Sequence, residues 1–480
     1  MSLLISDATV IDGAADIPAE GRSIWIENGR IKAIDSRDKL GATRAAQIID
    51  ARGKYVIPGL MDGNVHLMGA LRLEDLVRHE NRYEDLIAEA AQLTLRGGVT
   101  SVFDTWGPRQ PLMAVRDRIN AGDIPGSRVF CAGNIVGLDG PLSQDFFTKP
   151  SEVASPDLVK RINSIWAENV GPELSWMTPE QVAREVRAYI GKGVDFIKYA
   201  SSEHRIPMGP NAFLAFSEQA QAAIVDEAHG AGLTVQAHTT SVEGLRVAIE
   251  AGVDIIQHCN ITGPEPIPGT TLRLLVERKT ASTVLPMTKR EQDRMIKSGN
   301  RHLSALFSDV TVDINVRSLI QSGATLLFST DGGVMATDAS TDPLLGHVAT
   351  AHEDNLFALG RGHFVWFKAM EEKGFPPMEG LKAATRNMAI AYRKDKDLGT
   401  IEPGKIADML ILEKDPLQSA ENYRSIQAVI KDGAVVDRSS LPRKPILTRV
   451  PKESLDPSAP RSSRTFAGGL PSCFCWTRDN

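Results

Sequence analysis

Apolar and polar positions change rhythm along the chain. From Leu3 to Asp12, from Ser23 to Ile34 and from Ala46 to Asp50 they alternate or run in short apolar blocks, the spacing of strands. Asn28-Gly29 punctuates the second block as a hairpin turn would. The style returns near the other end, in Gly404–Leu412 and Ile426–Asp437, with Asp432-Gly433 as a second hairpin signal. Each β-rich end is too small to stand alone, so residues 1–55 and 400–437 are expected to form one composite β-sandwich.

Between them the period lengthens. Short apolar runs at 56–67, 99–106, 127–134, 194–201, 233–240, 253–260, 280–287 and 324–331 alternate with helical stretches, clearest at Tyr83–Arg96, Pro179–Lys192, Ser217–Ala231 and Val242–Ala251. Strand and helix in alternation predict a parallel α/β fold. Eight such units predict a (β/α)8 TIM barrel over 56–399. Two insertions, 137–178 and Thr288 to about Asn315, fall on the face where barrels keep their active sites. The first carries Phe146, Phe147, Trp166, Trp176 and Met177, either an apolar lid or surface decoration packed on its own aromatics. Residues 438–480 are rich in Pro, Ser and Arg, lose periodicity, and are expected to be a mostly irregular or wrapping tail.

Composition narrows the function. A net charge of 54 − 60 = −6 on 480 residues, with no basic stripe, argues against nucleic acid as a partner. No apolar run approaches a membrane span, and the N-terminus lacks a basic segment and cleavage site. Four cysteines are too few for a disulfide framework, so a reducing, cytoplasmic setting is expected. Cys131 and Cys259 read as strand thiols, and Cys473 with Cys475 as bystanders in the tail.

The chemistry gathers at predicted strand ends. Val56-Ile-Pro-Gly-Leu-Met-Asp-Gly-Asn-Val-His66 closes on Asn64 and His66, which alternation places on one face. Asp195-Phe-Ile-Lys-Tyr-Ala200 contributes Lys198, Thr234-Val-Gln-Ala-His238 and Asp254-Ile-Ile-Gln-His258 each end on histidine, and Leu326-Leu-Phe-Ser-Thr-Asp331 ends on a carboxylate before Gly332-Gly333. One histidine in an apolar strand is ordinarily a core residue. Four ligand-type residues and a lysine, ending different strands in order, are hard to explain by packing. No phosphate-binding glycine loop and no Gly-x-Ser-x-Gly competes.

In these motifs, and in Leu398-Gly-Thr-Ile-Glu-Pro-Gly404 with the strand after it, the chain resembles the amidohydrolase superfamily in its urease-related branch, over roughly residues 1–437. The resemblance implies a divalent transition metal (zinc first; cobalt, iron or manganese as alternatives) held by Asn64, His66, Lys198, His238 and His258. Lys198 would carry carbon dioxide as a carbamate. Asp331 would bind metal or the attacking water and act as base, and His258 would bind metal or polarise the carbonyl. Asn64 stands where the pattern has histidine. The Asn-x-His variant is similar to the phenylurea hydrolases and molinate hydrolase, which act on phenylurea and thiocarbamate herbicides. An amide oxygen is a weak ligand for such metals, so about one metal per chain is expected.

The expected activity is hydrolysis of a C–N or thiocarbamate bond in an apolar amide, urea or carbamate. Trp106, Tyr199, His204, Phe146, Phe147 and Trp176 are expected to contact the small-molecule substrate, and the chain is expected to form a homo-oligomer. Two other readings stand beside this one. A prolidase-type dipeptidase would need a partner for the substrate carboxylate, such as Arg205, and Phe216 offers no hydroxyl. A barrel scaffold that has lost catalysis would have Asn64 as its first lost ligand.

Overall fold

The computed structural model describes residues 2–40, 45–69, 73–143, 145–146, 154–203, 213–263, 265–297, 310–334 and 355–449. Five strands open the chain: β1 (Ser2–Val10), β2 (Ala19–Glu27), β3 (Arg30–Ser36), β4 (Gln47–Asp50) and β5 (Tyr55–Pro58). Asn28 and Gly29 both take positive φ, 51° and 78°, at the tight turn from β2 to β3, as a two-residue hairpin of this type requires.

Nine parallel-paired strands follow: β6 (Leu60–His66), β7 (Val99–Asp104), β8 (Arg128–Cys131), β9 (Ile197–Ala200), β10 (Val235–His238), β11 (Ile255–Gln257), β12 (Ala281–Val284), β13 (Leu326–Phe328) and the two-residue β14 (Gly332–Gly333). They lie in two arcs, β14-β6-β7-β8 and β13-β12-β11-β10-β9. Val136 links the arcs on one side: its N–H donates to the Lys198 carbonyl and its carbonyl accepts from the Ala200 N–H. On the other side the Asp331 N–H donates to the Asn64 carbonyl at 2.8 Å.

Parallel neighbours need a crossover, and helices supply it. Tyr83–Arg96, Arg109–Asn120, Pro179–Ile190, Glu218–Gly230, Val242–Ala251 and Gly269–Glu277 each stand between consecutive strands of this set. Their ends are written in local chemistry. Thr178 closes a capping box with Gln181 and Pro179 takes the first helical position, while Ser241 caps Val242–Ala251 and Gly252 ends it in the left-handed conformation.

The last strands, β15 (Met409–Leu412), β16 (Ile426–Lys431) and β17 (Ala434–Val435), return to the opening five. β15 pairs antiparallel with β5, and one eight-stranded sheet runs β17-β16-β15-β5-β1-β2-β3 with β4 on β1. Leu3, Ile5, Val10, Ile24, Ile26, Met409, Ile411 and Ile430 form a small core of this sheet's own, separate from the large core around the parallel strands. The two ends of the chain therefore complete one another.

The insertion after β8 holds a helix at Pro156–Ala167, capped by Ser155, and a 3-10 turn at Pro172–Trp176. The stretch after Thr288 includes two helices, Lys289–Lys297 and Val310–Gln321, so its later part is crossover structure rather than loop. The tail is ordered as far as it is described. Glu89 on Tyr83–Arg96 accepts the N–H groups of Ile446, Leu447 and Thr448 at 2.9–3.0 Å, and Leu441 and Leu447 are buried. Cys473 and Cys475 lie outside the described residues.

Candidate active site

The strand alternation of β6 turns Asp62, Asn64 and His66 to one face, and none is more than 3% exposed. Lys198 of β9, His238 at the end of β10, His258 just after β11 and Asp331 between β13 and β14 are buried as well. His258 and Asp331 take left-handed backbone, φ 37° and 53°. Non-glycine residues adopt that conformation at a cost and chiefly where surrounding contacts impose it. Gly332 follows because the Phe357 carbonyl stands 2.8 Å from where a Cβ would sit.

Two hydrogen-bonded pairs organise the centre. His66 Nε2 lies 3.0 Å from Asp331 Oδ1, and the same oxygen accepts from Asn64 Nδ2 at 2.8 Å. His238 Nδ1 meets His258 Nε2 at 2.9 Å. Burial would raise the Asp331 carboxyl, but the hydrogen bond and charge of His66, with the charges of His258 and Lys198, outweigh it and hold the group well below the usual carboxylate range. Burial pushes the His66 imidazole down and the His258 imidazole down to about 4, in the direction of the neutral form that binds metal.

Three residues not singled out from the sequence complete the arrangement. Asp62 accepts the N–H groups of Asn64 and Thr330 and the Thr330 hydroxyl, tying the first strand to the last. Asp104, at the end of β7, accepts the Leu67 N–H at 2.7 Å. Burial raises the Asp62 carboxyl to about 7 and Asp104 to about 8. Asp331 is thus the carboxylate kept ionised while its neighbours are pushed toward the neutral form, a separation that marks acid and base roles. Thr105 bridges Asn64 Oδ1, to which its hydroxyl donates, and Lys198 Nζ, which donates to it at 3.1 Å. Both Asp104 and Thr105 sit at a strand end, the criterion that found the other residues.

The expected substrate contacts divide. Trp106 is buried edge-on to His66, with ring centroids 6.0 Å apart, and stacks on Phe146 at 3.9 Å. Trp166 continues this column to Tyr83. Tyr199 is not brought to the centre: next to Lys198 in a strand it points the other way, and its hydroxyl donates to Gln221 on Glu218–Gly230. Trp176 is 92% exposed on its 3-10 turn. His204, Arg205 and Phe147 lie outside the described residues. The column makes this part of the insertion core rather than lid. Trp166→Ala should cost about 3–5 kcal/mol in denaturant unfolding. Trp176→Ala should stay within about 0.5 kcal/mol. The reverse order would return the insertion to a loose cover.

The donor set suits a divalent metal in kind. Among the described residues no three His, Cys, Asp or Glu side chains are assembled to hold one by themselves, and the four in the centre form the two pairs above. What is left over is telling. Among the described residues His258 Nδ1 is buried without a hydrogen bond. The fully buried Lys198 amine has one hydrogen bond, to Thr105, and no ion pair among the described residues. A buried ammonium so poorly compensated is costly.

Comparison with known proteins places the chain. The amidohydrolase family model matches residues 55–436, and the chain belongs to that family. It is a hydrolase acting on C–N bonds. Its structure resembles that of molinate hydrolase, 36% identical with TM-score 0.86, covering 94% of this chain and 98% of that one. It also resembles phenylurea hydrolase B, 34% identical with TM-score 0.89, covering 94% and 100%. Ochratoxinase of Aspergillus niger is 25% identical over 397 residues, 79% of this chain and 74% of that protein. Family membership and this structural likeness imply a TIM barrel with an extra domain, and the two parallel arcs with the separate terminal sheet are in keeping with it. Among the described residues no helix is long and apolar enough to cross a membrane.

Proposed function

We propose that this protein is a metal-dependent hydrolase of an apolar urea, carbamate or thiocarbamate. The observation that carries the reading is the convergence of Asn64, His66, Lys198, His238, His258 and Asp331, all buried, from strand ends spread over both arcs. Likeness to molinate hydrolase and phenylurea hydrolase B points to the substrate class. In this reading the two arcs close into an eight-stranded barrel and the terminal sheet is its small companion domain.

His238, His258 and a carbamylated Lys198 would hold the metal, with His66 and Asp331 facing the same space. A divalent metal held there would lower the pKa of water from about 15.7 to about 7. Asp331, ionised and fixed by His66 and Asn64, receives the proton of the attacking water and hands it to the leaving nitrogen. Trp106, stacked on Phe146, gives the apolar part of the substrate an aromatic wall and shields the centre from bulk water.

The test joins metal content to a substrate panel. After dialysis the purified protein should keep about one zinc-like metal per chain by mass spectrometry. It should hydrolyse aryl ureas, carbamates or thiocarbamates faster than dipeptides. Preference for dipeptides would favour the prolidase-type reading, and a chain without metal and without turnover would be the scaffold.

A further inference from the structure

Asn64 and Asp331 are joined to Lys198 through Thr105, and the chemistry of the two ends dictates the direction of every hydrogen bond between them. Lys198, as an ammonium or through the N–H of a carbamate, donates to Thr105 Oγ1 at 3.1 Å. Thr105 has one hydroxyl proton, which then goes to Asn64. At the far end, an oxygen of the Asp331 side chain accepts from the Asn64 amide and lies beside His66 Nε2. The Asn64 amide between them has one consistent orientation: oxygen toward Thr105, nitrogen toward Asp331 at 2.8 Å. Turned over, the amide oxygen would face a carboxylate oxygen at hydrogen-bond distance with no proton between. The Thr105 backbone holds the hydroxyl in place, since its N–H donates to the Val65 carbonyl on β6.

We propose that Thr105 is a positioning residue that makes Asn64 a hydrogen-bond donor to Asp331 instead of a metal ligand. The oxygen of Asn64, its one atom fit to bind a metal, is engaged by the Thr105 hydroxyl. Its NH2 group instead holds Asp331 Oδ1 beside His66. The departure of position 64 from histidine is then a change of job rather than a weakened ligand. This inference rests on the metal-hydrolase reading for its kinetic arm, and on the geometry alone for the rest.

The experiment compares the full-length protein with Thr105→Val, which removes the hydroxyl at nearly constant shape, and Thr105→Ser, which keeps it. Metal per chain after dialysis should be the same in all three, because no ligand has been removed. With a substrate the unmodified protein hydrolyses, Thr105→Val should lower kcat about 10- to 100-fold and leave KM in place, as loss of an orienting partner does. Thr105→Ser should recover most of it. Loss of metal in Thr105→Val would make Thr105 a support of Lys198 in metal binding rather than of the Asn64 amide and overturn the proposal, as would an unchanged kcat. If the unmodified protein hydrolyses nothing in the panel, the functional reading fails separately. A neutron structure then decides the relay, which requires deuterium on the Asn64 atom that faces Asp331 and overturns the proposal if that atom carries none.

Discussion

Asp331→Asn should leave a folded protein whose kcat is lower by about 10²–10⁴-fold, the usual share of a positioned proton acceptor. The fold survives because the substituted amide keeps an oxygen where His66 Nε2 and Asn64 Nδ2 both arrive. The backbone is also retained: the N–H of residue 331 still donates to the Asn64 carbonyl. What is lost is the capacity to take a proton from water, since an amide does not ionise. Steady-state kinetics on a urea or carbamate, with circular dichroism as the folding control, measures this. An unchanged kcat removes Asp331 from the chemistry. A risen KM with constant kcat would make it a substrate-binding group.

The second large effect belongs to Lys198. Lys198→Ala should empty the centre of metal and take activity down by about 100-fold or more, since even outer partners of a metal site are worth 10- to 100-fold. The side chain is fully buried on β9, so solvent does not reach in to replace it easily. Short-chain acids with bicarbonate should restore part of both metal and activity by standing in for the missing carbamate. Metal analysis and turnover, with and without acetate, are the readouts. A variant that keeps its metal and most of its turnover would leave Lys198 as a structural lysine bonded to Thr105.

Periodicity made the parallel strands legible: each predicted run contains an observed strand, and Tyr83–Arg96 and Val242–Ala251 coincide with helices residue for residue. The strand ends were legible for the same reason, because alternation and apolar flanks isolate Asn64, His66, Lys198, His238, His258 and Asp331. Tyr199 shows the rule applied inconsistently: if Lys198 faces inward, its neighbour faces the helices. Thr105 escaped because a threonine after a strand is ordinary until its two partners, 41 and 93 residues away, are in view. Trp176 and Trp166 read alike as aromatics in one insertion. Only packing separates the tryptophan that stacks toward Trp106 from the one left in water. Glu89 gave no signal at all, since a glutamate on a helix is usually a solvated one.

The clasp at Asp62 also has a bearing on how the molecule is made. Its carboxylate grips Thr330 across 268 residues of chain, and His66 reaches Asp331 across 265. At the usual pace of synthesis, roughly 5–20 residues per second, the first strand waits on the order of 13–54 s for its partner to be made. Closing so long a loop is among the slower events available to a folding chain. During that wait the polar end of β6, rich in buried donors and acceptors, is exposed without its match. A chain arrested before residue 330 would own most of its helices and none of its chemistry, so catalytic competence is expected to be the last property a nascent copy acquires.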